Sequence, residues 1–112
     1  MIEIRIGDCV LLRTWETSVE QIAVLHIATV RRFREGRGFP VTFVGYQDSV
    51  ERTPAGHTTV WFHPSMAVTF DYGSDYEPVQ VDEAQIVHAL AQMDSSDLGV
   101  VLAKAHVPVA FT

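Results

Sequence analysis

The chain has 112 residues, 47% of them apolar and 20% charged, and a net charge of −6. That length suits one domain over residues 1–112 with a modest core, and the composition excludes a disordered chain. The acidic balance argues against a nucleic-acid partner, while the lone Cys9 excludes an internal disulfide framework and suits a reducing cytoplasm.

The charge is uneven along the chain. Residues 1–52 hold seven Arg against seven acids, whereas residues 53–112 hold one Lys against seven acids. The net charge therefore sits in the second half, where it would steer a basic partner. The longest apolar stretch, Ile22–Val30, is too short to span a bilayer and contains His26, and Met1–Gly7 alternates rather than forming a signal sequence. No membrane partner is expected.

In chain order, Ile2, Ile4 and Ile6 alternate with Glu3 and Arg5, the pattern of a half-buried strand. Gly7-Asp8 turns the chain into a second strand, Cys9–Trp15. The stretch Thr17–Gly38 then reads as an amphipathic helix. Thr17 and Glu20 are spaced as a capping box, Val19, Ile22, Ala23, His26, Val30 and Phe33 share one arc, and Gly36 or Gly38 can end it. Arg31, Arg32 and Arg34 complement the helix dipole at its C-terminal turn. Val41–Tyr46 predicts a third strand, parallel to the second through a right-handed crossover.

The second half reads as a meander of strands over His57–His63, Ala67–Asp71 and Pro78–Val81. Asp82 predicts the cap of a second helix with Ile86, Val87, Ala89, Leu90 and Met93 on its apolar face. Gly99–Ala103 fits helix or strand, and Val107–Phe111 fits a last edge strand. The fold expected is α+β: a two-layer sandwich, a mostly antiparallel sheet of five to six strands with two main helices packed on one face. The other face would be wet and carry Glu3, Arg5, Thr42, Tyr46, His57, Thr59, Trp61, Thr69, Asp71 and Gln80.

Trp61 is the sharpest candidate for a binding residue. Val60 and Phe62 already supply the inward side of its strand, so Trp61 points outward and fits a contact hot spot. The segment from Asp71 to Glu77 adds Asp71, Tyr72, Asp75, Tyr76 and Glu77, three carboxylates and two rigid aromatics suited to a basic protein surface. Its acid spacing misses the EF-hand pattern. No metal-ligand or catalytic motif occurs, so no metal, cofactor or catalytic residue is expected. His26 lies within the apolar arc of the first helix. It reads as a core histidine, or as a general base in a pocket between helix and sheet, in a small enzyme or ligand carrier.

The segment Met93-Asp94-Ser95-Ser96-Asp97-Leu98-Gly99 followed by Val100-Val101-Leu102 resembles the phosphoacceptor segment of anti-sigma-factor-antagonist (STAS) domains. That resemblance implies a phospho-switch with Ser96 as acceptor, although Asp97 stands where that family has glycine. In size, charge and layout the chain is also similar to small acidic immunity proteins of bacterial toxin systems. The function expected is a cytoplasmic protein-binding domain of inhibitor, immunity or regulatory-adaptor type. Its contacts would be Trp61, Asp71, Tyr72, Asp75, Tyr76 and Glu77. A sheet with an aromatic wet face can also pair with a copy of itself, so a homodimer is compatible.

Overall fold

The computed structural model describes residues 2–14, 19–44, 57–73 and 80–103. The first hairpin follows from the isoleucine alternation. β1 (Ile2–Ile6) pairs antiparallel with β2 (Cys9–Thr14) across Gly7-Asp8, where Gly7 takes φ 57°. Ile4 lies opposite Leu12, and both are buried.

α1 runs Val19–Arg34. Its end is set by Gly36 at φ 72°, with Gly36 N–H donating to Phe33 C=O and Arg37 N–H to Arg32 C=O. This is a Schellman closure, and it needs a residue free to be left-handed. Ile22, Ala23, Leu25, Ala28, Thr29 and Arg32 are buried on this helix. The Thr29 hydroxyl donates back to the Leu25 carbonyl, which satisfies a buried polar group locally. The expected cap at Thr17 lies outside the described residues.

β3 (Phe39–Val44), β4 (His57–Phe62), β5 (Val68–Asp71), α2 (Glu83–Ser95) and β6 (Val100–Ala103) follow. Asp82 caps α2 by accepting the Ala84 N–H, as expected. Ile86, Ala89 and Met93 are buried on α2, but Val87 is exposed. At about 100° per residue Val87 sits a quarter-turn beyond Ile86, outside the covered arc.

The molecule is α+β, but the six strands form two three-stranded sheets rather than one sheet of five to six. One has the order β2-β1-β5, the other β4-β3-β6. The reason is which edges are taken. The free side of β1 is filled by β5, antiparallel. β3 is flanked by β4, antiparallel, and by β6, parallel. No side of β3 is left for β2, so the expected parallel pairing of the second and third strands does not form. The parallel pair is β3 with β6, entered through α2. The Pro78–Val81 strand is not formed over Gln80–Val81, and its remainder, like Val107–Phe111, lies outside the described residues.

α1 joins the two sheets. His26 stacks on Phe70 of β5 at 4.8 Å, and Phe33 meets Phe39 of β3 at 6.0 Å. Residues of both sheets and both helices share one apolar cluster that includes Ile4, Leu12, Leu25, Val41, Phe62 and Ile86.

Ion pairs fix α1 against α2. Arg31 makes a bidentate contact with Glu83 at 2.6 and 2.8 Å. Arg32, with a side chain only 8% exposed, donates to the Leu90 carbonyl at 2.9 Å and to Asp94 at 2.7 Å. Arg37 takes the other Asp94 oxygen at 2.7 Å.

The turn after α2 closes against β3. Gly99 has φ 65°, and a Cβ there would be driven into the Pro40 carbonyl. The Thr42 hydroxyl donates to Leu98 C=O at 2.8 Å, so Thr59 must be the donor in the 2.8 Å contact between the two threonines. Thr42 is therefore fully buried rather than on a wet face, because the crossover into β6 covers it.

Two substitutions test these anchors by urea unfolding. Arg32→Ala should lose about 2 kcal/mol, since it removes a buried side chain and its hydrogen bonds to the Leu90 carbonyl and Asp94, leaving Asp94 held by Arg37 alone. Gly99→Ala should lose at least about 3 kcal/mol, because backbone strain and overlap with Pro40 act together. An unchanged midpoint in either variant would remove that contact from the account.

Candidate functional site

Trp61 is where strand alternation places it, on the outward side of β4, and it is 57% exposed. Among the described residues β4 ends its sheet, with only β3 beside it, and Trp61 lies opposite Pro40. Its indole crosses Gly38. A Cβ added to Gly38 would come 2.7 Å from Trp61 Nε1 and 2.8 Å from the Phe62 carbonyl oxygen, so glycine holds the floor under the ring open.

The chain then turns through His63–Met66. Ser65 N–H donates to His63 Nδ1 at 3.2 Å, and Ser65 Oγ lies 2.8 Å from the same nitrogen. An Nδ1 that accepts an amide hydrogen carries none itself, so the neutral ring holds its hydrogen on Nε2. Met66 is also exposed. This end of β4 therefore offers an aromatic, a thioether and a ring N–H.

Asp71 and Tyr72 lie on the other sheet, at the end of β5. Asp71 pairs with Arg5 at 3.2 Å and accepts the Gly73 N–H at 2.9 Å. The Gly73 amide first, and the Arg5 guanidinium second, hold its carboxyl below its ordinary value. Arg5 also binds Glu3 at 2.7 Å, and Glu3 binds Arg13, so the outward residues of β1, β2 and β5 form one charged ladder. Arg13 and then Arg5 lower the Glu3 carboxyl too. Tyr72 is half-buried, with its hydroxyl 3.0 Å from His26 Nδ1. Trp61 thus faces solvent on one sheet, while Asp71 and Tyr72 hold together the end of the other. Asp75, Tyr76 and Glu77 lie outside the described residues.

His26 is stacked between α1 and β5, and its burial pushes the imidazole below its ordinary value. Its hydrogen-bond partner among the described residues is Tyr72, and Tyr46 lies outside them. A groove of about 560 Å³ is present, but it lies away from His26, between the start of α1, one side of α2 and β6. Sequence reading missed it because its floor is an edge strand that periodicity left undecided between helix and strand.

Ser96 is exposed and forms the C-cap of α2. Its amide donates to Gln92 C=O and its hydroxyl accepts the Leu98 N–H. No helix begins at Ser96; the chain turns through Asp97-Leu98 into β6. An anion on Ser96 would face the negative end of α2 beside Asp97. Cys9 is exposed. Among the described residues, no group of three or more His, Cys, Asp or Glu is placed to hold a metal ion, and no helix is long and apolar enough to cross a membrane.

The depressed His26 titration fixes a sign. Below about pH 6.5 the unfolded chain protonates this ring more readily than the folded one. The stability is complete above that pH and is lost as pH falls through it. Urea midpoints at pH 7.5 and 5.0 should show a smaller acid loss in His26→Phe, which keeps a ring over Phe70 and cannot titrate. Equal losses in both proteins would place the acid sensitivity elsewhere.

A family model described as Domain of unknown function (DUF7882) matches residues 13–105. No curated protein and no solved structure matches the chain. The match runs from β2 to just beyond β6 and takes in Trp61, both helices and the groove. By that extent the chain belongs to the DUF7882 family, a domain of unknown function.

Proposed function

We propose that the protein is a non-catalytic, cytoplasmic protein-binding domain, acting as an inhibitor or immunity-type protein or as a regulatory adaptor. The observation that carries this reading is Trp61, 57% exposed on an uncharged edge strand. Protein-contact hot spots are enriched in tryptophan, which buries much area at little entropic cost. Met66 and the His63 ring extend the same end of the strand.

Electrostatics supports a basic partner. Arg5, Arg13, Arg31, Arg32 and Arg37 are all engaged by carboxylates of the same chain, and the sequence carries a net charge of −6. The arginine-rich end of α1 is thereby tied to Glu83 and Asp94, which weighs against a polyanion site there. Asp75, Tyr76 and Glu77 would add to the contact as expected from sequence, whereas Asp71 and Tyr72 would act by holding the start of that segment.

The test is affinity capture with wild type beside Trp61→Ala, followed by binding kinetics with the purified partner. Trp61→Ala should weaken binding at least about 30-fold without changing the fold, and association should slow as salt is raised. Identical capture by both proteins would overturn the reading.

A further inference from the structure

We propose that the groove beside β6 is a strand-addition site for an extended peptide bearing Lys or Arg side chains. It lies at the opposite edge of the β4-β3-β6 sheet from Trp61 and does not depend on the Trp61 contact.

The geometry of the groove floor is the first argument. Val100, Val101 and Leu102 all line it. Successive strand residues point to opposite faces, and Val100 and Leu102 are buried while Val101 is half-exposed. A groove touched by three consecutive strand residues runs along the backbone edge, where N–H and C=O groups face outward, rather than over one face. β6 pairs only with β3, so that edge has no strand partner among the described residues. Edge strands are commonly guarded by a charge, a proline or a bulge. Val-Val-Leu-Ala has no charge and no proline, and its register against β3 runs without a shift.

The walls suit a polypeptide. Gln21 of α1 and Gln85 and Gln92 of α2 bring carboxamides to the groove, and each can both donate to and accept from a peptide backbone. Val24 and Ala89 supply apolar ground between them. Four residues of β6 present about 13 Å of edge, enough to pair a short extended segment, and strand addition of this kind takes its affinity from main-chain bonds.

Charge selects the occupant. Glu20 lies on the α1 wall and His88 on the α2 wall, and no Lys or Arg lines the groove among the described residues. The surrounding field is that of a chain with net charge −6, which favours a cationic peptide and opposes a second copy with the same charge.

The experiment uses the full chain and a phage-displayed library of random heptapeptides. Selected peptides are synthesised and measured by fluorescence anisotropy against wild type, Trp61→Ala and the double variant Gln21→Arg/Gln85→Arg. Gln21 and Gln85 are both exposed on helices, so arginine there is compatible with the fold. Enriched peptides should alternate Lys or Arg with β-branched residues and shift the amide NMR signals of Val100–Ala103. They should bind the double variant at least about tenfold more weakly, and Trp61→Ala within about twofold of wild type. Should the double variant fail to fold by circular dichroism, Ala84→Arg, at another exposed position on the α2 wall, takes its place with the same expected loss. The proposal is overturned if no peptide enriches, if binders ignore the wall substitutions, or if they move signals around Trp61 and not β6. Only that last outcome would favour the Trp61 reading at the expense of this one.

Discussion

The buried guanidinium of Arg32 is the contact on which the arrangement of the second sheet depends. A cation carried inward on α1 must find acceptors or cost several kcal/mol, and it finds them at the far end of α2 in the Leu90 carbonyl and Asp94. Its Nε remains without a partner among the described residues, so the Nη contacts to Leu90, Asp94 and, at 3.3 Å, Glu35 carry the compensation. Fixing the C-terminal turn of α2 fixes where the chain leaves it. From there Gly99 turns under Pro40, Leu98 C=O accepts from Thr42, and β6 is delivered parallel to β3. The groove beside β6 has α1 and α2 as its walls, so its shape follows from the same anchoring.

Charge in this molecule is divided by direction. Five arginines serve the interior and the joints: Arg5 and Arg13 tie three strands through Glu3 and Asp71, and Arg31, Arg32 and Arg37 tie α2 to α1 and the turn after it. An exposed ion pair contributes little to stability by itself, but pairing leaves few cations to face outward. The surface is then governed by the surplus of acids, and a site that takes a protein on such a surface is biased toward basic partners. The Trp61 contact and the β6 edge share that bias while differing in chemistry, one resting on an aromatic side chain and the other on backbone groups.

The Asp94–Gly99 segment shows how a chemical signature and a structural one can share residues. Its serines and glycine resemble a phosphoacceptor loop. In the fold Asp94 receives Arg32 and Arg37, Ser96 closes α2, and Gly99 supplies the left-handed turn that no side chain could occupy beneath Pro40. Each residue type has a mechanical reason to be where it is. Spacing alone does not separate that reason from a catalytic or regulatory one.

The sequence by itself determined the local elements: the isoleucine hairpin, the span and glycine stop of α1, the Asp82 cap of α2, and the outward side chain of Trp61. These depend on periodicity and on capping chemistry that act within a few residues. Only the tertiary structure decided that the strands divide between two sheets, that Thr42 is buried, that Val87 is exposed, and that His26 meets Tyr72. All four turn on which edges and faces meet across long separations in the chain. Val100–Ala103 was ambiguous for the same reason, since a short apolar run carries no period of its own. It became a strand because β3 had a free edge and α2 ended beside it.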